Sequence, residues 1–277
     1  MFLLVSTPLH IFLVNSISGQ AEIVRTGDGY YYGITNKEES IVLSHSGGYL
    51  GYFSRQAPPF YTENHLIQPH QIEWVDDRIL VSNTGRNCIS VFDDEGNLHR
   101  DVYLNEIRWD DKDRGHRGNH FNTIHRAGDR VYTVAHNYDR PSEVWELTWP
   151  DLRVVTNRVT DAGWAHNVWI SDRGLIVCDS KAGALYEVFS GKTFWKTKEK
   201  DVMTRGLAVS DDYIFIGCSQ HNKRKERYWK DGGIWVVDRS TLETLDKIVI
   251  PGSGDVHEIR IIEASDECHN DHVIQRE

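Results

Sequence analysis

Three histidines, His70, His166 and His257, each open a short apolar run that otherwise favours a dry interior: HQIEWV, HNVWIS and HEIRIIE. Neutral imidazole suits divalent transition ions, and three such ligands leave coordination positions open for water or substrate. An ion held this way would generate hydroxide or polarise a carbonyl. Interleaved with them at the equivalent place are Tyr32, Asn122 and Arg205. A phenol can serve as acid, base or donor, an amide can orient a substrate oxygen, and a guanidinium is a fork for carboxylate or phosphate. His136, in the nearby HNYDRP stretch, is a further candidate for proton handling.

These residues become equivalent only through a repeat. YYGITNKEESIVLSHS from Tyr31, HQIEWVDDRILVSNT from His70, NTIHRAGDRVYTVAHN from Asn122, HNVWISDRGLIVCDS from His166 and RGLAVSDDYIFIGCS from Arg205 share one form. Each reads as a strand, a polar turn, and a second strand ending in polar residues. Third strands follow, as in CISVFDDEGN and GGIWVVDRST, and often a fourth such as HRDVYL or TLDKIVI. Four strands repeated every 38 to 52 residues, with no helical periodicity, predict an all-β protein built of propeller blades.

Five units are complete, and the sixth is divided between the chain ends. HEIRIIE supplies its first strand, and FLLVST, HIFLVNS and QAEIVRT supply strands two to four. The expected architecture is therefore a six-bladed β-propeller closed by pairing of the N- and C-terminal strands, one domain over residues 1–277. A competing register takes FLLVS as its own first strand, by likeness to GLAVS at 206–210, but leaves no room for a fourth strand before Tyr30. In a propeller the first strand lines the channel, so Tyr32, His70, Asn122, His166, Arg205 and His257 are expected around one ring.

In organisation the chain resembles the six-bladed propeller group that includes gluconolactonase and regucalcin-like, strictosidine synthase-like and NHL-repeat proteins. The resemblance covers nearly the whole chain and rests on repeat shape. The Glu and Asn metal set of a regucalcin-like lactonase has no counterpart here, so that activity is not carried over.

Charge narrows the partners. The net charge of −10 argues against nucleic acid, which requires a basic face. Yet Lys223, Arg224, Lys225, Arg227 and Lys230 gather in QHNKRKERYWKDGG, and Arg108, Arg114, His116, Arg117 and His120 in NEIRWDDKDRGHRGNH, both expected on the face where the ring opens. Such a collar would draw in an anionic ligand. Trp164, two residues before His166, is expected to supply an apolar wall. Trp74, Trp169 and Trp235 read as packing within blades.

The four cysteines, Cys88, Cys178, Cys218 and Cys268, form no CxxC pair and read as buried thiols, favouring a reducing, cytoplasmic setting. The apolar N-terminus is broken by Pro8, His10 and Asn15, so it reads as two strands around a TPL turn and not as a membrane span; a secretion signal is the alternative. Nucleotide-loop, serine-elbow and HExxH motifs are absent.

The expectation is a metal-dependent enzyme, by hydrolysis, elimination, hydration or isomerisation, acting on a small anionic metabolite or sugar acid. His70, His166 and His257 would hold Zn, Fe, Mn, Ni or Cu. Arg205, Trp164, Lys223, Arg224, Arg227 and Arg117 would bind substrate, and Tyr32, Asn122, His136 and Arg205 would act in catalysis. The rival is a non-catalytic propeller that binds an acidic ligand or protein through its basic loops.

Overall fold

A computed structural model describes residues 1–27, 29–107, 118–221 and 226–269. Its strands form six four-stranded antiparallel sheets. The chain starts in the closing blade with β1 (Phe2–Ser6), β2 (His10–Asn15) and β3 (Ala21–Thr26), then builds β4 (Tyr31–Lys37), β5 (Ser40–His45), β6 (Tyr49–Ser54) and β7 (Phe60–Tyr61). The next blades are β8 (Pro69–Val75), β9 (Arg78–Asn83), β10 (Cys88–Asp93) and β11 (Leu98–Val102), then β12 (His125–Ala127), β13 (Arg130–Ala135), β14 (Ser142–Thr148) and β15 (Val154–Thr160). Two more follow: β16 (His166–Ser171), β17 (Gly174–Asp179), β18 (Ala184–Glu187) and β19 (Lys192–Lys196), then β20 (Val202–Val209), β21 (Tyr213–Gln220), β22 (Gly232–Asp238) and β23 (Thr244–Ile250). Finally β24 (Glu258–Ile261) pairs with β1, Val5 opposite Ile259 and Leu3 opposite Ile261.

That closure is the split blade read from the sequence, with HEIRIIE innermost and the N-terminal strands outside it. It leaves the first and last blades joined by a ladder of backbone hydrogen bonds instead of an open edge. The FLLVS register is thereby corrected: β1 is a second strand. No helix of the described residues is long and apolar enough to cross a membrane.

Inner and second strands are joined by tight turns whose residues tolerate the left-handed region, such as Asp76 (φ 55°) and Gly128 (φ 59°). The cores lie between blades. Trp169, Ile176, Leu185 and Trp195 pack against Leu207, Ile214, Ile216 and Trp235, with Cys178, Cys218 and Cys268 in the same cluster. Trp169 and Trp235 are fully buried and Trp74 nearly so, as expected of blade packing. All four cysteines are free and buried.

The inner strands share one irregularity that positions the site. In β4, β8, β16 and β20 the register with the second strand slips between Tyr31 and Ile34, Pro69 and Ile72, His166 and Trp169, and Thr204 and Leu207. Such bulges kink a strand and re-aim its side chains, here at the upper end of the channel wall. Neighbouring inner strands also come very close: a Cβ on Gly33 would lie 2.7 Å from the His70 carbonyl oxygen and 2.8 Å from the Ile72 nitrogen. Only glycine fits there.

Candidate functional site: an imidazole collar around Arg205

The ring expected from the repeat is present, and two more histidines complete it. Tyr32 is stacked between His70 and His257, with ring centroids 4.9 Å away on each side. His70 meets His120 edge-on at 4.8 Å, His120 meets His136 at 4.9 Å, and His136 meets His166 at 5.5 Å. Trp164 stacks on His136 at 6.2 Å and carries the Lys181 ammonium 5.8 Å from its centroid. A run of aromatic rings thus passes from the closing blade to the blade of β16.

Hydrogen bonds settle the tautomers. His70 Nδ1 lies 3.0 Å from Gln68 O and 2.9 Å from Thr84 Oγ1, and the Thr84 hydroxyl gives its own hydrogen to Phe121 O. His166 Nδ1 repeats the arrangement with Trp164 O at 2.7 Å and Ser180 Oγ at 2.9 Å, Ser180 donating to Thr204 O. His257 Nδ1 reaches Tyr31 O at 2.8 Å. Every partner is an acceptor, so Nδ1 carries the proton in all three rings and Nε2 keeps the lone pair. His136 is the reverse: its Nδ1 accepts the Tyr138 backbone N–H at 2.9 Å, so its neutral ring is protonated on Nε2.

Electrostatics keep the collar neutral. Burial first, then the positive Arg205, depress His70, His166 and His257 well below the ordinary imidazole value. His120 is depressed by burial and by its imidazole neighbours, and His136 falls to about 4 through burial and Arg205. Arg205 lies with its guanidinium carbon 5.9 Å from the Tyr32 ring centroid. Among the described residues it makes no hydrogen bond or ion pair, and it is only partly buried. A guanidinium does not lose its charge at neutral pH, so a cation with no direct anionic contact stands among neutral rings, with Asp255 and Glu258 acting on it only at longer range.

Other expected residues fall differently. Asn122 is buried and its amide is occupied: Nδ2 donates to Ala165 O at 3.0 Å, and Oδ1 accepts from Thr123 Oγ1 at 2.9 Å. It ties two blades together. Arg227 sits 3.7 Å from the buried carboxylate of Asp255, whose pKa burial raises to about 6. Lys223, Arg224 and Arg117, with Lys225, Arg108, Arg114 and His116, lie outside the described residues. The described part of the loop between β21 and β22 does reach the mouth, where Tyr228 stacks on Tyr30 at 5.2 Å and their hydroxyls hydrogen-bond.

His120 and Asp255 received no role from the repeat, yet a signal was present. Each lies two residues before a ring position, as Trp164 does before His166. Gln68, His120 and Trp164 all take a left-handed backbone there, with φ of 48°, 56° and 53°. This is an upper layer of the same symmetry.

The donor chemistry of His70, His166 and His257 suits a metal, since an anchored Nδ1–H fixes the ring with Nε2 free. Their spacing does not fit one ion. Tyr32 lies between His70 and His257, and His120 and His136 lie between His70 and His166. Among the described residues no group of three or more His, Cys, Asp or Glu could hold a metal ion.

No protein-family model matches the chain, and no curated protein matches it. Solved structures do. A chain of a nidogen/laminin complex superposes with a TM-score of 0.70 at 12% identity, covering 93% of this chain and 97% of that one. A protein of unknown function from Bacteroides caccae gives 0.63 at 14% identity, again over 93% and 97%. A catalytically inactive histidine-to-alanine variant of virginiamycin B lyase from Staphylococcus aureus, solved with quinupristin, gives 0.56 at 12% identity over 80% and 69%. At such identities the likeness shows the fold alone, in keeping with the six four-stranded sheets of this chain.

Proposed function

We propose that the upper channel binds a small carboxylate and performs acid–base chemistry on it, an elimination or isomerisation in which Arg205 holds the carboxylate. The observation that carries this reading is the guanidinium without a hydrogen-bond or ion-pair partner among the described residues, enclosed by imidazoles of opposite tautomers. Arg205 offers two parallel N–H donors to the carboxylate and favours the charge that develops when a proton leaves the adjacent carbon. His166 Nε2, with its lone pair free, takes that proton. The C–H electron pair forms the new double bond, the bond to the substituent on the next carbon breaks, and His136 gives its Nε2 proton to the departing oxygen. His136 and His166 touch, with rings 5.5 Å apart. Tyr32 packs under Arg205 and fixes the rings of His70 and His257.

Lyase activity is named for one fold neighbour, in which a histidine-to-alanine variant is inactive; as fold analogy this supports the reaction class alone. The test is proton NMR in D2O on a panel of β-substituted carboxylates. The wild-type chain is expected to exchange the α-proton and release the substituent. His136→Gln should retain exchange but lose release, and Arg205→Gln should lose both. A wild-type chain that shows no exchange and binds none of the carboxylates would overturn the proposal.

A second reading keeps a divalent transition ion on His70, His166 and His257, supported by their shared Nδ1 anchoring. The intervening rings count against it. Elemental analysis of purified protein and of His166→Ala decides: about one ion per chain, lost in the variant, would favour the ion.

A further inference from the structure

We infer that the collar selects a hydroxylated monocarboxylate over dianions, phosphate and plain carboxylates, because among the described residues one cation is ringed by three lone-pair acceptors against a single donor of fixed tautomer. This rests on the reading of Arg205 as the carboxylate site and concerns what the rest of the ligand must carry. Nε2 of His70, His166 and His257 is an acceptor in each case, since Nδ1–H is committed to Gln68 O, Trp164 O and Tyr31 O. None of these three Nε2 atoms has a hydrogen-bond partner among the described residues. The three residues are 6, 9 and 6% exposed.

A second anionic group would meet these lone pairs and the Asp255 carboxylate, which already faces Arg227. It would find one donor of fixed tautomer, His136 Nε2–H. Protonating the collar to welcome it is resisted by burial and by Arg205 itself. A hydroxyl instead donates its hydrogen to Nε2 and can accept from His136. An apolar substituent leaves the acceptors with nothing in return for the water it displaces.

Three ligands of similar size separate the cases: propionate, glycerate and malonate, titrated calorimetrically into the full-length chain at pH 7.5, with inorganic phosphate as a fourth. Glycerate should bind about tenfold or more tighter than propionate, two net hydrogen bonds being worth that much. Malonate and phosphate should bind no tighter than propionate. In His257→Phe the advantage of glycerate over propionate should shrink while propionate binding persists. Independently, long-range 15N NMR of histidine-labelled protein should show Nδ1–H tautomers at His70, His166 and His257 and Nε2–H at His136. Malonate or phosphate binding as tightly as glycerate, or Nε2–H at the three positions, overturns the selectivity while leaving the carboxylate site standing. Failure of all four ligands to bind removes the site and the selectivity together.

Discussion

Two arginines face the same channel, and their surroundings are opposite. Arg260, on β24, is fully buried with Nη1 3.0 Å from Glu73, Nη2 donating to Ile72 O at 2.8 Å, and Nε 3.8 Å from Glu258. Gln71 donates to Glu258, and His269 lies 3.3 Å from the same carboxyl. The C-terminal segment lies against this end, with Glu267 N on Val209 O, His269 on Leu207 O and His125 on Cys268 O. Arg205, one layer higher, has no such direct contact among the described residues, and Asp255 and Glu258 reach it only through longer-range attraction. A protein that surrounds one buried guanidinium with carboxylates and leaves its neighbour among neutral rings has a structural arginine below and a ligand-ready one above. Holding a half-buried charge with no direct anionic contact is costly, so the upper arrangement makes physical sense once a ligand supplies the anion.

Acid and alkali should separate the two layers, and this is the largest effect expected. Six imidazoles, His70, His120, His125, His136, His166 and His257, have depressed pKa values in the folded state, His125 and His136 at about 4. Their contribution is present above the ordinary imidazole value and is lost as pH falls toward 4, at about 1.4 kcal/mol per pH unit for each group. Glu258 is the reverse: burial raises it to about 8, so its contribution is present at low pH and lost as pH rises through 8. Thermal unfolding between pH 4 and 9 should therefore show a steep acid limb and a shallower alkaline one, and Glu258→Gln should flatten only the second.

Arg260→Met should cost about 3–5 kcal/mol in urea unfolding, because it strands two buried carboxyls. Arg205→Gln, by contrast, should leave the unfolding midpoint unchanged or raise it while weakening glycerate about 10- to 100-fold by calorimetry. If both substitutions destabilise alike, the contrast between the layers is lost. Asn122→Ala should cost about 1–3 kcal/mol of stability with little effect on ligand affinity, since its amide joins blades. Smallest of all, Trp164→Leu should weaken binding a few-fold, in proportion to a stacking contribution of about 0.5–1.5 kcal/mol, and should abolish any ligand-induced fluorescence change that arises from this ring.

Much of this was readable before any coordinates. The split blade follows from the likeness of HEIRIIE to the other inner strands, and the ring of Tyr32, His70, His166, Arg205 and His257 follows from aligning the repeats, because each blade carries its own copy of the same local pattern. What alignment could not supply is distance around the ring. His120 and His136 come from an incoming loop and a second-strand end, and their rings stand between those of His70 and His166. Asn122 holds the expected position but spends its amide on the next blade.

The amino-acid sequence by itself determined the strands, the six-fold repeat, its closure and which residues face the channel, since alternation and turn chemistry are local properties carried by each repeat. Tertiary structure alone decided the tautomers and the lack of a direct anionic contact at Arg205 among the described residues. Both depend on carbonyls, hydroxyls and carboxylates contributed by other blades, and no local pattern records which of those partners closure brings within hydrogen-bonding distance.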